Sequence, residues 1–185
     1  MELQQQALYQ QLRAEAVATR DRIADLVRPL DPARLNEHPE PNGWSVAQVL
    51  EHLCLAGELY EKPLRQLLTT AKPDAGAPAR EWKSSFIGGA IAKGLQNPKP
   101  IKRGPPAFRP GPTPRAGVVD AFLAEERTFV QVMEDALPYD WRGLRIKSPA
   151  LPRWAPKMNV GDGFRIHVVH LTRHSRQIER LAKQL

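Results

Sequence analysis

The stretch "NPKPIKRGPPAFRPGPTPRAG", residues 97–117, holds seven of the chain's 18 prolines. Proline lacks a backbone N–H and fixes φ, so neither a helix interior nor a central strand can run through it. The stretch must be an extended crossover, and regular structure has to lie on either side of it. A connection this long inside a compact domain is a functional loop or a strap packed across the fold. Between Ala71 and Gly117 only "REWKSSFIGGAIAKGL" has the pattern of a short helix.

Outside the crossover, apolar residues recur at helical spacing. Leu8, Leu12, Ala16, Thr19, Ile23, Leu26, Val27 and Leu30 mark a first amphipathic helix, which Pro29 and Pro32 stop. Ser45, with Gln48 as its capping-box partner, opens a second helix from Val46 to about Thr70. Val118, Val119, Phe122, Phe129, Val132, Met133 and Leu137 define a third, ending at Pro138. After an irregular return loop, Asp162 is placed to cap a fourth helix, Gly163 to Lys183. With no strand pattern, composition break or internal repeat, the chain is expected to be all-α. The expected fold is an up-and-down four-helix bundle with a long Pro-rich crossover between helices 2 and 3, one domain over residues 1–185.

Met1 is followed by "ELQQQALYQQL", which has no signal-peptide character, and no later apolar run could span a bilayer. The expectation is a soluble, cytoplasmic protein. Cys54 is the only cysteine, so an internal disulfide and a Cys-rich metal cluster are both excluded. Any metal must be held by His and carboxylates. The net charge of +7 is concentrated in the C-terminal half, which permits an anionic partner but is also what a solvated basic surface looks like.

Three of the five histidines fall in "FRIHVVHLTRHSRQIERL". His167, His170, Leu171, His174, Ile178, Leu181 and Leu185 share one helical stripe, the face meant for the core, where each imidazole needs its own polar partner. His170 and His174, four residues apart, can grip one divalent ion from a single helix face. The Glu of the zinc-protease motif is absent. His52 is the candidate third ligand, because it lies with Val49, Leu53 and Ala56 on the buried stripe of helix 2, while His38 sits in a Pro-rich loop. If helices 2 and 4 run parallel, His52 is seven residues past its cap and His170 and His174 are eight and twelve past Asp162. Those are depths of roughly 10, 12 and 18 Å.

The opening of helix 2, "GWSVAQVLEHL" with Trp44, Ser45 and His52, stands with the closing "HLTRHSRQIERL", the long crossover and the Ser-Pro loop "KSPALP". In these features the chain resembles the DinB-like or YfiT-like four-helix-bundle metalloenzymes. The resemblance implies a divalent metal (Zn, Ni or Mn) on His52, His170 and His174, with open positions for water or substrate. His167 is then a neighbour of the site or a core residue, and Cys54 a small buried apolar one. The resemblance also implies a transferase using a low-molecular-weight thiol, or a hydrolase, acting on a small-molecule substrate.

No protein nucleophile or phosphate cradle is evident; Gly88-Gly89 lacks the Lys and the spacing. Glu125 and Glu126 are placed to serve as base or support, with at least one of them facing solvent. Arg173, Arg176 and Arg180 read as the wet face of helix 4. Two other readings stay open: a non-catalytic bundle braced by its metal, and, ranked last, nucleic-acid binding through "KPIKRGPPAFRPGPTPR". No membrane partner is expected, and a homodimer is left open.

Overall fold

The computed structural model describes residues 2–40, 43–97 and 105–185. Its elements in chain order are β1 (Glu2–Gln4), α1 (Gln5–Val27), α2 (Pro32–Asn36), α3 (Val46–Thr70), β2 (Glu81–Lys83), α4 (Phe86–Gln96), α5 (Val118–Asp135), β3 (Arg145–Ile146), β4 (Met158–Asn159) and α6 (Val160–Ala182). The fold is all-α. Among the described residues its strands form two short antiparallel pairs, β1 with β2 and β3 with β4, which the apolar pattern had not signalled.

The helix starts follow local chemistry. Ser45 caps α3 in a full capping box: its hydroxyl accepts from Gln48 N at 3.2 Å and its N–H donates to Gln48 Oε1 at 3.1 Å. Asp31 caps the short α2, with Pro32 at its first position. α6 begins one turn earlier than the sequence implies. Asn159 is its cap and accepts from Asp162 N at 2.8 Å, so the Asp162 carboxylate is free for other partners.

Those partners lie in the crossover. Ser84 Oγ donates to Asp162 at 2.5 Å, and Ser85 donates through both N–H (2.9 Å) and Oγ (2.6 Å). The same Ser85 hydroxyl accepts from Gly88 N and caps α4. Gly88 permits this closeness, since a Cβ there would stand 2.1 Å from the Asp162 carboxyl carbon. Gly161 likewise lets the buried Trp82 lie against the start of α6, with its indole N–H on Asn159 Oδ1.

Four long helices carry the core. α1 packs on α5 and α6, α3 packs on α5 and α6, and α4 covers α6 from outside. Their directions differ from the up-and-down expectation. Glu15 reaches Thr172 and Arg22 reaches Glu179, so α1 and α6 run the same way. Arg115, just before α5, pairs with Glu51 and Glu58, and Glu125 lies against Gly57, so α3 and α5 run the same way too. The apolar clusters agree: Val46–Leu53 shares one with Val118, Phe122, Leu171 and Ile178, while Tyr60 and Leu64 share the other with Phe129, Phe164 and Val168. α3 is therefore antiparallel to α6, and the order is up, down, down, up. The physical reason is the crossover, because parallel neighbours need a connection as long as the bundle.

The crossover is neither wholly extended nor wholly irregular. Its described residues contain β2 and α4, and two 3₁₀ turns, Ala77–Ala79 and Pro106–Phe108, the second near α3. Residues 98–104, with Lys99, Lys102 and Arg103, lie outside the described residues.

Asp162→Ala would leave two hydroxyls and one N–H without their acceptor, so it should cost about 3 kcal/mol in urea unfolding. If Asp162 were only a helix cap, the loss would be about 1 kcal/mol.

Candidate metal centre

The histidines sit where the two apolar clusters meet: on α6, Val168 belongs to one cluster and Leu171 to the other. His52 Nε2 stands 3.0 Å from His170 Nε2 and 3.1 Å from His174 Nε2, and those two are 3.0 Å apart. Antiparallel packing explains the level. His52 is seven residues after Ser45, and His174 is eight before Ala182, the end of α6. Depths counted from the two helix starts had assumed parallel helices, so their agreement was coincidental.

The outer nitrogens fix two of the rings. His52 Nδ1 donates to the Phe108 carbonyl at 2.6 Å, and His174 Nδ1 donates to Gln177 Oε1 at 2.8 Å. Both rings then carry their proton on Nδ1 and present Nε2 as a lone pair. His170 has at most one proton to share between the two lone pairs facing it, so the triangle cannot satisfy itself by hydrogen bonding alone. Its chemistry fits a cation. Two imidazole nitrogens each about 2.0 Å from one ion at a tetrahedral angle stand about 3.3 Å apart, close to the observed spacing. The three histidines could hold a divalent ion, and they are the only such group of three or more among the described residues.

Electrostatics keep the donors neutral. Burial depresses His52, offset in part by its bond to the Phe108 carbonyl. Burial, then His174 and His52, holds His170 well below the usual imidazole range, and burial followed by His52 pushes His174 down to about 3. Trp44 flanks the His52 ring at 4.9 Å.

The other sequence candidates fall elsewhere. His38 is exposed and bonds to the Gly43 carbonyl. His167 is outside the triangle: it lies stacked on Phe129 at 3.5 Å with Nε2 3.1 Å from Glu126 Oε2. Glu126 is only 1% exposed, and Glu125 is half-buried against Gly57, so neither simply faces solvent. Burial, then Glu61, raises Glu125 to about 7. Arg173 is not part of a wet face, because its guanidinium donates to the Leu95 and Asn97 carbonyls at the end of α4; Arg176 and Arg180 are exposed. Cys54 is fully buried and its thiol is pushed up to about 12, mainly by burial.

Two features of the site had no reading in the sequence. The Phe108 carbonyl is a backbone group and leaves no mark there. Gln177 stood in the motif, but its role became visible only with the His174 ring in place. A surface cavity lined by Arg176, Glu179, Arg180, Lys183 and Gln184 does not include the histidines, so the donor set rather than concavity marks the site.

Fold and site together define an all-α protein with a three-histidine group bridging two of its helices. The family described as the DinB superfamily matches residues 15–178, and the chain belongs to it. No curated protein and no solved structure matches the chain.

Two outcomes follow for a divalent ion offered to the three histidines. Depressed imidazoles compete poorly with protons, so metal content should stay flat as pH falls past the ordinary histidine value of about 6.5. It should drop only further down, and His167→Ala should leave it mostly intact; metal analysis after dialysis across pH reads both.

Glu125 has the opposite sign. Its folded value lies above its unfolded one, so the stability it contributes is full below the ordinary carboxylate value and is lost as pH rises to about 7. Glu125→Gln should therefore gain on the order of 1 kcal/mol above pH 7, allowing for solvent screening, and nothing near pH 4. Urea unfolding at the two pH values tests it.

Proposed function

We propose that this DinB-superfamily chain, taken as one domain over residues 1–185, is a metal-dependent enzyme. It brings a low-molecular-weight thiol, or else water, to an electrophilic small-molecule substrate. The carrying observation is the convergence of three imidazole nitrogens within 3.1 Å of one another with no fourth protein donor grouped with them among the described residues. Three protein ligands with a position left over is the arrangement of catalytic rather than structural sites. His170 is less completely buried than His52 and His174, so it is the ring of the three nearest to solvent.

A divalent ion held there, zinc, nickel or manganese, would act as a Lewis acid and lower the pKa of a thiol or water brought to it. The chain's own residues do the rest. Neutral His52, His170 and His174 leave the ion its double charge, while the Phe108 carbonyl and Gln177 hold two of the rings in the donating orientation. Cys54, buried and with a raised thiol pKa, does not compete as a nucleophile. An exogenous nucleophile is therefore the better fit.

The burial of His52 and His174, each 8% exposed, favours a second reading in which the metal only braces α3 against α6. The two separate in one comparison. Wild-type, metal-stripped and His174→Ala proteins are assayed with a panel of thiols, and with none, against electrophilic acceptors. The catalytic reading expects a loss of about a hundredfold or more on stripping or substitution, the several kcal/mol of a lost Lewis acid. Equal rates in all three, with lowered thermal stability in the stripped protein, would leave the bracing role.

A further inference from the structure

The crossover between Pro105 and Gly117 lies along α3 and touches it beside the histidines at three successive points. Phe108 gives its carbonyl to His52 Nδ1, and Gly111 gives its carbonyl to Gln48 Nε2 at 3.1 Å. Arg115 then closes on two carboxylates. Its Nε and Nη2 donate to the two oxygens of Glu51 at 2.8 and 3.0 Å, its Nη1 donates to Glu58 at 2.8 Å, and its backbone N–H also reaches Glu51. A forked, charge-assisted pair is among the stronger polar contacts a protein makes. Here it is partly withdrawn from water, with the Glu51 side chain 12% exposed.

The segment between the clamp and Phe108 is stiff. Pro110, Pro112 and Pro114 restrict φ through it, and Pro-rich chain behaves as a semi-rigid spacer. A displacement at Arg115 is therefore carried along the strap toward Phe108 instead of being absorbed between them. At the other end the Phe108 carbonyl is the hydrogen-bond partner that sets which His52 nitrogen faces His170 and His174.

We propose that Arg115 is a positioning residue for the metal centre: by clamping the strap to Glu51 and Glu58 it holds the Phe108 carbonyl where it orients His52. The proposal rests on the metal-binding reading above. It makes strap closure and metal binding one linked equilibrium, so each must favour the other by the same factor.

The test uses the 185-residue chain and zinc alone. Zinc affinity is measured by competition with a chromophoric chelator for wild-type, Arg115→Gln, Arg115→Lys and Arg180→Gln. The last removes the same charge from an exposed pair with Glu40, away from the strap. Hydrogen exchange of the Phe108, Arg109 and Arg115 amides is followed with and without zinc. Arg115→Gln should bind zinc about tenfold or more weakly, the usual size of an effect transmitted through a ligand's hydrogen-bond partner. Arg115→Lys, which keeps the charge but not the fork, should recover part of the loss, and Arg180→Gln should match wild-type. Zinc should slow exchange at the strap amides in wild-type and much less in Arg115→Gln. If Arg115→Gln does not fold, Glu58→Gln removes one bond of the clamp and should show a smaller loss of the same kind. Wild-type affinity in the clamp variants, or strap exchange indifferent to zinc, would overturn the positioning role and leave the metal reading standing. Absence of zinc uptake by wild-type would overturn both.

Discussion

α3 lies antiparallel on α6 with its first turns in the apolar cluster of Leu171, Ile178 and Leu181 and its last turns in the cluster of Phe164 and Val168. That register is set by apolar burial, worth roughly 25 cal/mol per Å² removed from water. A slip of one turn would pull Leu50 and Leu53 out of their cluster. The same register places His52 opposite His170 and His174, so the polar site inherits its precision from the core on either side of it. Three imidazoles that cannot satisfy one another would be a poor choice for a purely apolar interface. Their cost is tolerable because the packing is strong and because the donor set suits a cation.

The crossover is what makes this arrangement reachable. With α3 and α5 running the same way, the chain must travel back along the whole bundle between them. It is anchored at both ends of that journey. Near the start of α6, Ser84 and Ser85 hold Asp162, and Asn159 binds both Trp82 and the Lys83 carbonyl. Near the histidines, the Pro-rich part returns to α3 through Phe108, Gly111 and Arg115. A connection with so little regular hydrogen bonding of its own needs side-chain partners from the helices, and buried carboxylates and amides supply them.

Polar groups also reach into the centre of the bundle. His167 and Glu126 pair across α6 and α5, each almost wholly buried, and one atom of each has no partner among the described residues. Glu125 lies alongside, close to Glu58 and Glu61 and with one buried oxygen unpaired. Like charges and burial together keep a proton on it up to about neutral pH. This interior is less apolar than the helical patterns alone imply, since a sequence stripe records which face is buried and not what that face meets.

The amino-acid order by itself determined the helices and their buried faces, because helix formation and capping depend on neighbours three or four residues away. Ser45 and Gln48 are the clearest case. It also determined that His170 and His174 share a face, since that follows from helix geometry, and the match of "GWSVAQVLEHL" and "HLTRHSRQIERL" to a family pattern brought His52 to the same group. Only the tertiary structure decided the direction of the helices and the true cap of α6. It alone showed the hydrogen bonds that orient the imidazoles and the burial of Glu126 against His167. The reason is physical: an apolar stripe packs equally well on a parallel or an antiparallel neighbour. The choice between them lies in the length and anchoring of the crossover. A backbone carbonyl such as that of Phe108 carries no sequence signature, and it gains a partner only when the whole chain has closed around it.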